Sequence, residues 1–417
     1  MTMFLSIAGC TPTTTPPDDS DPGQVEQPPA DLPDTDLPSS PAPRTQDFYQ
    51  ITAQDWVDAI RVGWSLGNTL DAHAGHGSAG FSWLSDGTYE NTTVAQMEGA
   101  WNGGNPATRR LFEAVKNAGF NAIRIPVTWH KAADAEMNIR EDWMARVIEI
   151  VDWAVELDMY IILNTHHDEH VIKFQDKDME ESKANFTRLW EQIAYTFKDY
   201  NEKLIFQGLN EPRTIGLPNE WSGGTEEERN NINALNQIFV DVVRASGGFN
   251  SHRILALTTH AASTSETAQR GFVLPQDSTP DRILVTLHNY APWEFALRTS
   301  ETGMVDTWSK DNPSDTAPIT QPLHLAVEVF QNQGIPVVIG EFGALNRDNI
   351  DARVEHAEFY TSYAAALGIP CFWWDSGITT VVQRHDWGWD QPFGITDRRL
   401  ATFVFPEIVD ALMRGTE

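Results

Sequence analysis

The chain has 417 residues, 41% of them hydrophobic, and a formal net charge of −30. That is enough apolar material for a large core, and the length suits a single α/β barrel, which routinely runs to about 250 residues or more. So large an excess of acid repels DNA, RNA and anionic membranes, which excludes a nucleic-acid partner and suits a neutral one such as a polysaccharide.

The order along the chain begins with a short apolar run, Met3 to Cys10, ending in small residues and a cysteine. It resembles the end of a bacterial lipoprotein signal, so residues 1–10 are expected to be a partial leader, with a lipid anchor at Cys10 and a secreted or cell-surface location. Residues 11–46 are Thr, Pro, Asp and Ser with almost no large apolar side chain. Such a segment cannot bury enough surface to offset chain entropy, and is expected to be a disordered acidic linker. Residues 47–417 are expected to form one catalytic domain.

From Thr52 onward, short apolar runs alternate with amphipathic stretches. The runs are Arg61–Ser65, Asn121–Val127, Tyr160–Asn164, Leu204–Leu209, Ile254–Thr258, Ile283–Leu287, Pro336–Ile339 and Pro370–Trp374. Each is apolar at consecutive positions, as parallel strands buried on both faces are. Helical spacing marks Ala107–Gly119, Asp142–Leu157, Glu181–Tyr200, Glu226–Ala245, Leu323–Gln333, Arg353–Leu367 and Phe405–Met413, with a weaker pattern at Thr264–Arg270. Eight such alternations predict a (β/α)8 barrel. A doubly wound open sheet would gather its polar residues at one switch point; here nearly every run ends in polar or aromatic residues.

In a barrel the chemistry sits where the strands end. The fourth run ends Asn210-Glu211-Pro212 and the seventh Glu341-Phe342-Gly343. A carboxylate beside a buried strand is costly unless it is paired and hydrogen-bonded. Hydrolysis of a glycosidic bond requires two such carboxylates, one to protonate the leaving oxygen and one to attack the anomeric carbon or activate water. Tryptophans 129, 293, 387 and 389 follow strands in loops and are candidate sugar platforms, whereas Trp56, Trp143 and Trp153 read as helix packing. The two cysteines, Cys10 and Cys371, suggest no disulfide, and the adjacent His166-His167 lacks the i, i+4 spacing of a helical zinc pair, so neither a metal nor a cofactor is expected.

The strand ends together resemble glycoside hydrolase family 5, most closely its subfamily 4. The resemblance rests on Gly63-Trp64-Ser65-Leu66-Gly67-Asn68-Thr69-Leu70-Asp71-Ala72, Arg124-Ile125-Pro126-Val127-Thr128-Trp129, Asn164-Thr165-His166-His167, Leu209-Asn210-Glu211-Pro212-Arg213, His288-Asn289-Tyr290-Ala291-Pro292, Ile339-Gly340-Glu341-Phe342-Gly343 and Trp373-Trp374-Asp375-Ser376-Gly377. It covers the chain from about Thr52 to the end, and departs from the family at Ser65 and Ser376, where Asn is more usual. It implies a retaining endo-β-1,4-glucanase acting as a monomer on β-glucan, with Glu211 as acid/base and Glu341 as nucleophile. It further implies that Arg124 and Tyr290 hold Glu341, that Asn210 meets the sugar 2-hydroxyl, and that His288 sets the protonation of Glu211. His166 and His167 would line the glycone side, Trp374 would be the floor under the sugar, and Asn68, Trp129 and Trp293 would complete the substrate contacts. Glu211 is expected to hold its proton through the neighbouring charge of Glu341. Alternatives from the same residues are an endo-acting xyloglucanase, mannanase or mixed-linkage glucanase, or a transglycosylase.

Overall fold

The computed structural model describes residues 48–73, 92–299, 302–380, 384–385, 388–389 and 391–417. The proposed leader with Cys10, the linker, and the platform candidates Trp387 and the Trp389 side chain lie outside the described residues.

Eight strands run in chain order: β1 (Gly63–Leu66), β2 (Ala122–Ile125), β3 (Tyr160–Asn164), β4 (Leu204–Gln207), β5 (Leu255–Ser263), β6 (Ile283–His288), β7 (Val337–Phe342) and β8 (Cys371–Asp375). Each pairs in parallel with its neighbours, and β8 pairs back onto β1, so the sheet closes into a barrel. All strand residues are buried except Tyr160 and Ser263, which are half-buried, and this is why the runs read as continuously apolar. The (β/α)8 expectation holds, with helices Arg109–Asn117, Glu141–Glu156, Met179–Phe197, Glu226–Ala245, Glu266–Arg270, Pro313–Val329, Ile350–Ala366 and Pro406–Arg414 outside the strands.

The barrel interior is apolar at one end and polar at the other. Ala122, Ile162, Ile205, Ala256, Leu284, Val338 and Phe372 form one cluster, closed by Trp56 and Val57 of a short helix, Ala53–Asp58. Gly63 leaves room for the Phe372 ring, since a Cβ there would lie 2.1 Å from it. Side chains alternate along a strand, so the residues two further on face inward as well. These include Arg124, Asn164, Gln207, Thr286 and Trp374, all buried. The polar end is the end at which the functional side chains gather.

Several helices begin on the caps their sequences supply. Thr225 Oγ1 accepts from the Glu228 backbone N–H while the Glu228 carboxylate accepts from the Thr225 backbone N–H, so the acid run Glu226–Glu228 is a helix first turn. The helix read as Leu323–Gln333 begins ten residues earlier, at Pro313, and contains Pro318 and Pro322. The carbonyls that lose a partner belong to Ser314 and Pro318, which are exposed, so solvent can serve them. Cys371, on β8, is a buried free thiol that burial pushes well above the usual thiol range.

Candidate active site

Arg124, Gln207, Asn210, Glu211, His288, Tyr290 and Glu341 converge at the polar end of the barrel. The Arg124 guanidinium is fully buried and divides its donors three ways: Nε to Gln207 Oε1 at 2.9 Å, Nη1 to Glu341 Oε1 at 2.6 Å and Nη2 to Asn210 Oδ1 at 2.5 Å. Gln207 is itself fixed, donating Nε2 to the Leu209 carbonyl at 2.8 Å. One arginine on β2 thereby ties together β4, the turn after β4, and β7, using the fixed fork that lysine lacks.

Glu341 receives a second donor. Tyr290 Oη lies 2.8 Å from Glu341 Oε2, and burial, followed by the charges of Glu341 and Glu211, raises the phenol well above its ordinary range, so it stays a donor. The register between β6 and β7 shifts at Leu287/His288 and sets His288 opposite Glu341. From there His288 Nδ1 is 2.8 Å from Glu211 Oε1 and 3.6 Å from Glu341 Oε2. An oxygen of Glu211 and one of Glu341 lie within 4.8 Å of each other. That is shorter than the roughly 6.5–9.5 Å needed to admit a water between two inverting carboxylates, and close to the roughly 5–5.5 Å of a retaining pair.

The protonation of Glu211 differs from expectation. Burial pushes its carboxyl up, but the His288 hydrogen bond, the His288 charge and Arg213 together outweigh burial and hold it below the usual carboxylate range. Arg213 Nη1 is 3.7 Å from Glu211 Oε2. The cation and the imidazole beside Glu211 act more strongly on it than Glu341 does.

The neighbouring predicted residues fall into place around this core. Trp374 stacks on His166 with ring centroids 5.6 Å apart and planes 7° from parallel. His166 Nε2 is 3.3 Å from the Asn210 amide and Nδ1 is 3.1 Å from the Asn164 amide; burial drives its pKa well below the ordinary imidazole value, so the ring is neutral. Burial also disfavours charge on His167, yet its contact with Glu169 at 3.5 Å and the charges of Glu169 and Asp71 raise it overall. Asn68 stands just past β1 in a left-handed conformation, φ 54°, its N–H donated to Asp71; it belongs to the rim rather than to the Arg124 network. Trp293 opens the short helix Trp293–Ala296 and is exposed.

Trp129 is a correction. Its indole is fully buried and donates Nε1 to the Asn164 carbonyl at 2.9 Å. It follows a strand, as a platform would, but the chain turns into the 3-10 helix His130–Ala132 and carries the ring inward. It is a core residue and offers no face to a sugar. His260 is likewise buried, 3.8 Å from Glu228.

Sequence reading gave Arg213 no role, though it stands in the motif from Leu209 to Arg213, and passed over Trp221. Arg213 directly follows Glu211-Pro212, and Trp221 is an exposed indole in the same long loop; both could have been found from their closeness to the acid. Two groups could in principle share a cation among the described residues: Asp71, His166 and His167, and Glu211, His288 and Glu341. The Asp71 oxygens already accept the Asn68 and Thr69 N–H groups, and Glu341 already holds Arg124 and Tyr290. Both groups are explained without an ion.

Residues 85–379 match the family model described as Cellulase (glycosyl hydrolase family 5). Endoglucanase A of Clostridium longisporum is 38% identical over 366 residues, which is 87% of this chain and 66% of that protein. The chain therefore spans just under two thirds of that relative's length. Among solved structures, a GH5-4 broad specificity endoglucanase from Ruminococcus champanellensis with bound cellotriose superimposes with a TM-score of 0.80 at 40% identity, covering 88% of this chain and 100% of the other. A family 5 lichenase from Caldicellulosiruptor sp. F32 superimposes with a TM-score of 0.79 at 34% identity, covering 92% of this chain and 100% of the other.

Proposed function

The chain belongs to glycosyl hydrolase family 5, and from that premise we propose that it is a retaining endo-β-1,4-glucanase. The observation that carries this reading is the close approach of Glu211 and Glu341, with all of Arg124, Tyr290 and His288 arranged about them. Glu341 is held by two donors, one on each oxygen, which aims it as a nucleophile. Its attack on the anomeric carbon forms a glycosyl ester, while the leaving oxygen takes its proton from Glu211. Esterification removes the Glu341 charge. Glu211 then takes a proton from water, which attacks the same carbon, and the ester bond breaks with net retention. Asn210 contributes at the 2-hydroxyl, where hydrogen bonds strengthen in the transition state. Trp374 supplies the apolar floor that the C–H face of a sugar requires.

The substrate is a β-1,4-glucan backbone. The broad specificity of one structural relative and the lichenase activity of another support including mixed-linkage glucan and xyloglucan in the assay. The test is a panel of cellulose derivative, mixed-linkage glucan, xyloglucan and mannan, followed by product analysis. Fast viscosity loss at few new reducing ends on the glucans supports the reading. Turnover confined to mannan, or products dominated by sugar transfer, would overturn it.

The composition of residues 1–46 further supports a secreted or cell-surface lipoprotein joined to the barrel by a spacer. In a bacterial host, Cys10→Ser is expected to move the activity from the membrane to the soluble fraction; unchanged membrane attachment would count against it.

A further inference from the structure

Lys131 is fully buried although its side chain ends in an ammonium group. Such a group is costly inside a protein unless its N–H groups are met. It stands in the 3-10 helix His130–Ala132, past the end of β2. That turn is fixed by Asp168, which lies past β3 and whose Oδ1 accepts from the Trp129 N–H at 3.0 Å and the His130 N–H at 2.8 Å. From there the Lys131 stem runs inward, and Nζ lies 4.3 Å from the centre of the Trp143 indole. The ammonium donates to the Leu70 carbonyl at 2.7 Å and to the Ala72 carbonyl.

Both carbonyls belong to the loop that follows β1, and the one between them is held from the same side. Thr128 donates its N–H to the Leu70 carbonyl at 3.1 Å and its hydroxyl to the Asp71 carbonyl at 2.7 Å. The end of β2 thereby grips three successive carbonyls of the loop. Thr128 Oγ1 also accepts from the His167 N–H at 3.2 Å, so the same grip reaches the turn after β3.

The loop is wedged between two parts of the site. At its start, a Cβ on Gly67 would lie 2.6 Å from the Trp374 indole, so the main chain lies directly against the floor. At its end, the His73 ring lies 5.0 Å from that of His167 and 5.0 Å from that of Trp101. In between, a carboxylate oxygen of Asp71 and ring nitrogens of His166 and His167 lie within 4.8 Å of one another. A small shift of the loop therefore moves Asn68 and Asp71 relative to the floor and the histidine pair. Glu341 with Arg124, and Glu211 with His288, are held by bonds that do not involve it.

We propose that Lys131 is the positioning residue of the glycone half of the site, its ammonium setting the loop after β1 between Trp374 and the His166–His167 pair. The inference rests on the glucanase reading and adds to it a residue that touches no substrate and acts through main-chain carbonyls.

The test uses β-cellobiosyl fluoride, whose sugars fill the glycone half alone. In Lys131→Met the apolar stem remains and both hydrogen bonds are lost. KM is expected to rise about tenfold with kcat within about threefold of the unmodified enzyme, the split produced when binding is lost while the reacting groups stay aimed. Thr128→Val loses the hydroxyl that joins Asp71 to His167. It should move KM in the same direction, and it decides on the same criteria should Lys131→Met not fold. A fall in kcat at unchanged KM, as a smaller share of folded enzyme produces, would overturn the positioning role and leave the glucanase reading intact. So would kinetics unchanged in both parameters. Failure of the unmodified enzyme to turn over both the fluoride and cellohexaose would overturn both readings.

Discussion

Arg124 Nη1 lies 2.6 Å from Glu341 Oε1, with the guanidinium wholly inside the barrel. The pair joins β2 to β7 across the barrel mouth, and its remaining donors reach Gln207 and Asn210. Arg124→Lys keeps a charge but cannot satisfy three acceptors at fixed angles. A loss of about 100-fold in kcat is expected from the misplaced nucleophile and 2-hydroxyl contact. Arg124→Ala leaves a buried carboxylate without its counter-charge and is expected to cost about 3–5 kcal/mol of stability. Adding Glu341→Gln should recover part of that loss in denaturant melts; strict additivity of the two substitutions would contradict a direct pairing.

The two glutamates are expected to give different azide chemistry. Glu341→Gly should lose several orders of magnitude in kcat and, with azide, an α-fluoride donor aside, form an α-glycosyl azide from a β-linked activated substrate. Glu211→Ala should retain fast glycosylation with activated aryl leaving groups and give the β-azide. The same anomer from both variants, seen by NMR, would reverse or dissolve the assignment.

Because His288 is the leading influence holding the Glu211 carboxyl down, its removal should move that group up. In His288→Ala the alkaline limb of kcat/KM is therefore expected to shift to higher pH, since Glu211 keeps its proton longer as pH rises. The rate at the optimum should fall as well, since Glu211 loses the hydrogen bond that orients it. An alkaline limb that stays in place would show that His288 does not govern the acid/base.

Trp129 distinguishes a core role from a sugar-binding one. Trp129→Ala is expected to cost about 3–5 kcal/mol in unfolding free energy, as large core truncations do. Trp129→Phe should retain most of the stability and bring KM for cello-oligosaccharides close to its original value. A selective rise in KM for long substrates with no loss of stability would restore the platform reading.

The barrel and its two glutamates were legible because burial on both strand faces leaves runs of apolar residues, and because functional groups sit where those runs stop. The limits of the reading have physical causes as well. β5 runs on to Ser263 although Thr258-Thr259-His260 looks polar, since its later residues are buried beneath the loop that bears Trp221. The helix at Pro313 was cut short by prolines that its exposed flank tolerates. Trp129 and Trp221 show the harder limit: both follow strands in loops, and only the path of the chain decides that one ring turns inward and the other outward. The effect of His288 on Glu211 was legible as a neighbour relation, but its outcome, with burial opposed by an imidazole and a guanidinium, depends on distances that sequence does not carry.

Cys371 gives the barrel a built-in reporter. Its thiol is buried on β8, is held protonated by that burial, and is therefore inert toward oxidants and alkylating reagents while β8 stays in place. In a Cys10→Ser background, a thiol reagent should modify the protein only as fast as β8 comes away from its neighbours. Since β8 closes the barrel against β1, the labelling rate would time the opening of the closed sheet, at residue resolution and without denaturant.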